Sequence, residues 1–163
     1  MEFRRVRMAE APAFRALRLR ALRDHPADFG SDYETTVVKP LSFFVGQLAD
    51  NHVIGAFVDG ELVGIVGLMF HANAKESHRA YLWGVYAKGR GVARGLLMAA
   101  LAVAFERVRQ VELNVRVGNA AAERLYRGAG FEACGGIPGI HCVDGVLYDD
   151  TLMVLTRERF SGR

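Results

Sequence analysis

Cysteine is nearly absent from this chain: Cys134 and Cys142 are the only two among 163 residues. With no second pair and no C-x-x-C spacing, they offer neither a disulfide framework nor a zinc signature. Both read as reduced thiols, buried or half-buried, and no metal is expected. Proline is scarce too, four in all. No internal repeat, low-complexity tract or linker-like stretch divides the chain, so residues 1–163 are expected to form one domain. Long apolar runs are missing. The longest, Gly95 to Phe105, is too short for a membrane helix, which needs ~20 residues. The opening M-E-F-R-R-V-R carries charge but no apolar region of the kind a signal peptide has. A cytoplasmic protein without a membrane partner is the expectation.

Neither sign of charge dominates. The net charge is +3 and the pI about 9.1. Seven arginines fall within the first 23 residues, but they follow a helical pattern with no aromatic base-stacking platform among them. Helix-turn-helix, zinc and RNA-binding signatures are lacking as well, so a nucleic-acid partner is not expected. What the chain does have is apolar mass: 51% hydrophobic against 24% charged residues, the balance of a globular core.

The patterning reads as mixed α/β. Phe3 to Val6 suits a short first strand. Phe14, Leu17, Ala21 and Leu22 recur at helical spacing between Glu10 and Asp24, with Pro12 tolerated in the first turn. A second helix is predicted from Leu41 to Ala49. Val53–Val58 and Leu62–Phe70 flank Asp59-Gly60, a type I′ hairpin signal. Ala80–Tyr86 is the next strand, followed by a long helix to about Val108 with Val92, Leu96, Ala100 and Ala104 on one face. Val111 to Val117 alternates apolar and polar residues as a half-buried strand does. Asn119 can cap a helix to Arg127, closed by Gly128 or Gly130. Phe131–Gly135 and Leu147–Leu155 complete a sheet covered by helices.

One stretch is hard to explain as structure alone. K-G-R-G-V-A-R-G-L-L, Lys88 to Leu97, gathers three cations and three glycines ahead of an apolar helix. A helix start carries partial positive charge, so cations there are unfavourable unless an anion meets them. Glycines at such a junction let backbone N–H groups approach a phosphate. The Walker pattern fails for want of G-K-[ST]. The dinucleotide fingerprint fails because Arg94 takes the place of its third glycine.

What remains is K-x-x-G-x-A: Lys88, Gly91 and Ala93. It resembles the [QR]-x-x-G-x-[GA] loop of the GNAT superfamily of N-acetyltransferases, which wraps the pyrophosphate of coenzyme A. Asn119 to Phe131, N-A-A-A-E-R-L-Y-R-G-A-G-F, is similar to that family's N-x-x-A-x-x-L-Y-x-x-x-G-F segment. The two stand at the family's usual separation, and with W-G-V-Y on the preceding strand the likeness covers residues 52–135. One departure is visible: Y-A-K-G is shorter than the family's V-x-P-x-x-R-G and lacks its proline.

The resemblance implies a mixed, mostly antiparallel central sheet flanked by helices, with acetyl-CoA as cosubstrate and a small-molecule amine as acceptor. Protein amino termini or lysines are an alternative acceptor class, and a non-catalytic acyl-CoA sensor is an alternative function. It further implies that CoA contacts fall on Val85, Tyr86, Ala87, Lys88, Gly89, Arg90, Gly91, Val92, Ala93, Arg94 and Gly95, then on Asn119, Ala122 and Tyr126. A strand bulge would turn the N–H of Val85, or one beside it, toward the thioester carbonyl. Tyr126 is the expected general acid, since a phenol of pKa ~10 can donate to a departing thiolate of pKa near 8.5. Asn119 is expected to be a helix cap, with a ligand contact compatible.

The general base is not legible. Glu34, Glu112 and His78 qualify by type only, and a water chain would also serve. Arg18 projects on the apolar side of its helix and reads as snorkelling or paired, with a substrate carboxylate as the other reading. Asp144, Asp149 and Asp150 would attract a cationic amine, or simply be solvated. Trp83 and Phe29 would line the acceptor cleft, or pack in the core. Homodimer formation is left open.

Overall fold

Asp59 and Gly60 adopt φ of 50° and 83°, the left-handed pair of a type I′ turn whose twist suits the strands it joins. That turn links β2 (His52–Val58) to β3 (Glu61–Phe70), with β1 (Glu2–Arg5) on the far side of β2. Across the sheet follow β4 (Arg79–Ala87), β5 (Gln110–Arg116), β6 (Glu132–Val143) and β7 (Val146–Thr156), in the spatial order β1-β2-β3-β4-β5-β7-β6. Every described pair is antiparallel except β4–β5, which is parallel. This computed structural model describes residues 1–89 and 91–161.

Helices cover both faces. On one side α1 (Ala11–Asp24) and α3 (Leu41–Asp50) bury Phe14, Leu17, Phe44 and Leu48 against Val53, Phe57 and Ile65. On the other, α4 (Val92–Arg107) and α5 (Ala120–Ala129) pack on Val66, Leu68, Leu82, Leu113 and Val115. The alternation of Leu82 and Trp83 between these two cores is the period-two pleat of a central strand. Each fully buried Leu or Phe contributes roughly 1.5–3 kcal/mol. Glu10 ties β1 to the start of α1: it accepts hydrogen bonds from Arg4 at 2.8 and 3.0 Å and from the Arg7 backbone N–H at 2.8 Å. Among the described residues, no helix is long and apolar enough to cross a membrane.

Two elements depart from the sequence reading. The strand expected to stop at Gly135 continues to Val143 as β6, through Gly135, Gly136, Pro138 and Gly139. It lies at the sheet edge with register shifts at Ala133/Gly135 and Ile137/His141, where a missing N–H and glycines cost least. Its turn, Asp144-Gly145 with φ of 50° and 78°, repeats the first hairpin's chemistry. Cys134 and Cys142 both lie on this edge strand and are exposed, not buried or half-buried as expected, because among the described residues the strand has no neighbour on its outer side. The loop after α1 holds a further short helix, α2 (Tyr33–Val37), capped by Asp32, whose carboxylate accepts from the Thr35 N–H at 2.7 Å.

Candidate active site

The sheet opens where β4 and β5 part. They pair only from Arg79 to Tyr81 against Gln110 to Glu112, while both strands continue further. Between them lies a cleft of about 910 Å³. β4 is bulged at this point: Tyr86 pairs with Ile65 and Trp83 with Gly67, so Gly84 and Val85 together oppose Val66. Gly84 holds φ of 65°, which glycine adopts without strain. A bulge re-aims the backbone groups beside it, and both residues line the cleft.

The N-terminus of α4 meets the same opening. Gly91 is its N-cap with φ of 79°, and a Cβ added there would meet nothing within 4 Å. No acidic side chain lies in the first turn, so among the described residues of that turn nothing neutralises the positive end of the helix. Arg94 reaches across to α5, where its Nη1 would lie 3.8 Å from a Cβ at Gly128.

The predicted loop residues divide by direction. Val85, Tyr86, Ala87, Gly91, Ala93 and Arg94 line the cleft, as do Asn119, Ala122 and Tyr126. Lys88 does not: its Nζ turns toward Glu61 at 3.9 Å, and its N–H donates to the Val63 carbonyl at 2.8 Å. Val92 is buried in the core. Gly95 serves packing, because a Cβ there would stand 2.4 Å from the Phe3 ring. Gly89 is exposed and outside the cleft lining. Arg90 lies outside the described residues.

α5 fixes the phenol. The Asn119 side chain caps the helix by accepting from the Ala122 N–H at 3.1 Å. At the other end Gly130, with φ of 105°, donates to the Arg127 carbonyl, and the Phe131 N–H donates to the Tyr126 carbonyl, both at 3.0 Å. This is a Schellman closure, whose usual companion is an apolar contact between the residue after the glycine and the last turn. Here that contact is Phe131 edge-on to Tyr126, ring centroids 5.9 Å apart. The L-Y-x-x-x-G-F spacing therefore clamps the Tyr126 ring at the cleft wall. Burial, with Tyr81 and Asp28 nearby, raises its pKa above the ordinary phenol value, so the hydroxyl remains a donor throughout the neutral range.

Several groups that gather here have no motif to announce them. Asp28 and Arg116 form an ion pair at 2.6 Å, although 88 residues separate them in sequence. Asp150, only 5% exposed, lies 3.7 Å from His141 Nε2. Burial raises its carboxyl pKa in spite of the attraction of His141 and Arg116. Of the three aspartates considered for amine attraction, only Asp150 lines the cleft. Asp149 instead accepts from the Gly139 N–H at 2.7 Å. The bases considered by type are elsewhere: Glu112 is hydrogen-bonded to Arg79, and Glu34 and His78 are exposed away from the cleft. Arg18, Phe29 and Trp83 are present in the lining.

The chain matches the acetyltransferase (GNAT) family over residues 15–131. No curated protein matches it. Among solved structures it is similar to the ribosomal-protein-alanine N-acetyltransferase from Brucella melitensis, at 25% identity and a TM-score of 0.79, over 96% of this chain and 99% of that one. It is similar to the GNAT-family acetyltransferase from Streptococcus pneumoniae, at 21% identity and a TM-score of 0.81, over 95% and 98%. A third likeness is to yncA from Salmonella typhimurium, solved with its cofactor acetyl-CoA, at 20% identity and a TM-score of 0.77, over 95% and 92%. With the family matched over most of its length and the sheet opened between β4 and β5, this chain belongs to the GNAT family of N-acetyltransferases.

Proposed function

We propose that this protein transfers the acetyl group of acetyl-CoA to the primary amine of a small molecule by direct attack, with Tyr126 as the general acid. The observation that carries this is the convergence at one opening of the bulged strand, the bare start of α4 and the clamped phenol. The cradle suits a pyrophosphate: Gly91 leaves room above its Cα, and Arg94 brings charge to the amides of the first turn. The bound acetyl-CoA supplies an acetyl thioester.

The remaining work falls to the chain. The backbone N–H of Val85, or one beside it at the bulge, donates to the carbonyl oxygen as negative charge develops there. One such preorganised donor is worth roughly 10²–10³ in rate. Ala122 is small and leaves space along α5 for the pantetheine arm. Tyr126 donates to the sulfur as it leaves. Its raised pKa keeps the proton available, while making the phenol a donor rather than a strong acid. Asp150, more basic than an ordinary aspartate and paired with His141, takes the proton that the attacking amine must lose.

Calorimetry with CoA and thiol release over a panel of amines test the reading together. Binding that weakens with added salt, accompanied by amine-dependent thiol release, is expected. No CoA binding at low salt overturns it. A protein amino terminus is the second acceptor class, favoured by the likeness to the Brucella melitensis enzyme named above; release with peptides alone would select it.

A further inference from the structure

Among the described residues, Arg18 is a buried cation without a counter-charge. It is 6% exposed, it lines the cleft, and its Nη1 is buried without a hydrogen-bond partner. Its guanidinium stands 5.1 Å from the Phe29 ring centroid and 5.4 Å from that of Trp83. Those rings offer cation–π contacts and leave the Nη1 donors unanswered. Among the described residues no carboxylate pairs with it, and desolvation alone lowers its pKa, to about 10. It remains a cation at neutral pH. A buried charge that none of the described residues compensates is costly to keep, and a guanidinium's in-plane donors suit the two oxygens of a carboxylate.

Its place in the fold says which ligand supplies the anion. Arg18 is on α1, across the sheet from α4 and α5, so the opening between β4 and β5 separates it from Gly91 and Arg94. The pyrophosphate cradle is at one mouth and Arg18 at the other. Nη1 lies 3.2 Å from where a Cβ on Gly84 would stand, beside the bulge at which the acetyl carbonyl is bound.

We propose, building on the acetyltransferase reading, that Arg18 binds a carboxylate of the acceptor, so that the substrate is a free amino acid or a close analogue. The short reach from Arg18 to Gly84 and Val85 requires the carboxylate within a few bonds of the reacting nitrogen. Asp150 in the same cleft complements the ammonium of such a zwitterion. Peptide amino termini lack that nearby carboxylate and are disfavoured by the same contact.

The test uses the whole protein, acetyl-CoA and matched acceptors: L-amino acids, their primary amides and their decarboxylated amines, with thiol release as readout. Free amino acids are expected to show kcat/KM about 100-fold above their amides and amines, since buried donors left unpaired penalise the analogue lacking the group. In Arg18→Met the preference collapses through the acceptor's KM, while the KM for acetyl-CoA stays within about twofold. Arg18→Lys retains part of the preference. Calorimetry of N-acetyl amino acids on the CoA-loaded protein reads the contact without turnover: they bind wild type and not Arg18→Met. Equal turnover of acids and amides by wild type, or faster turnover of peptides, overturns this assignment and leaves the acetyltransferase reading standing. A protein that does not bind CoA at all overturns both.

Discussion

Gly67 lies directly across from Trp83, and the indole occupies the space its side chain would take. The two residues pair between β3 and β4, and a Cβ at position 67 would stand 2.1 Å from the Trp83 ring. Trp83 in turn faces the Arg18 guanidinium. A glycine on one strand thus seats the ring that frames the cation on a helix, and sheet packing is coupled to the Arg18 end of the cleft.

Gly67→Ala must therefore move a large ring that has little room. Overpacking of this kind costs about 1–3 kcal/mol, a fall in Tm of several degrees for a chain of this size. Trp83 is the only tryptophan, so its emission reports the displacement without interference. A variant with wild-type Tm and an unshifted emission maximum would contradict the close contact.

The cations of the glycine-rich stretch are not equivalent. Arg94 lines the cleft, whereas Lys88 points to Glu61 on the other side of the chain. Arg94→Glu should weaken CoA binding by about 10- to 100-fold at low salt, less at high salt where screening shortens the reach of charge. Lys88→Glu should leave affinity within about threefold at ~0.15 M salt, since the side chain points out of the cleft toward Glu61, where solvent and salt screen it. Calorimetry on the two variants separates them, and equal losses would contradict the geometry.

Much of this fold was legible because its punctuation is chemical. Asp59-Gly60, Asn119 and Gly130 mark a turn, a cap and a closure by their backbone needs, and each does so in the structure. The edge strand β6 is only half legible in sequence because Gly135, Gly136 and Pro138 carry the composition of a loop; only its edge position makes them tolerable. Asp144-Gly145 was the overlooked clue, being the same dipeptide as the first hairpin. In the site, the loop and the α5 segment could be read because their residues are close in sequence. The direction of the Lys88 side chain is not legible, since it stands just past the end of β4 and pleat phase at a bulge is not written in composition. Asp28 with Arg116, and Asp150 with His141, meet only through tertiary packing. Arg18 stood out by its wrong-faced position, but its lack of a partner is a property of the folded chain.

Glu10 sets an acid limit on stability. Hydrogen bonds from Arg4 and then Arg7 hold its carboxyl well below its ordinary value of 4.5. A depressed folded-state pKa stabilises above the unfolded value and loses that contribution as pH falls. Because the ion pairs are partly solvated, the contribution is at most about 1 kcal/mol. Glu10→Gln should melt below wild type at pH 7, and the gap should narrow as pH falls below 4.5. A gap that persists undiminished at pH 2 would point to lost packing instead.

Tyr126 and Asp150 should leave opposite marks on the pH profile. The Tyr126 pKa is raised above 10, so its proton is in place across the assay range. Tyr126→Phe should lower kcat by about 100-fold without altering the profile's shape, and should spare CoA affinity. Asp150 must be ionised to accept a proton, and burial raises its pKa above 3.8; the acid limb of kcat should therefore lie above that value and vanish in Asp150→Asn together with most of the rate. Stability runs the other way. The folded state holds the Asp150 proton more tightly than the unfolded state, so its contribution falls as pH rises from 3.8 through the raised value. Asp150→Asn should consequently melt above wild type at pH 7 and alongside it at pH 3. Melting curves at those two pH values, set beside kcat at pH 7, distinguish a carboxylate kept for chemistry from one kept for the fold: a variant that loses both rate and stability at pH 7 would assign Asp150 to structure.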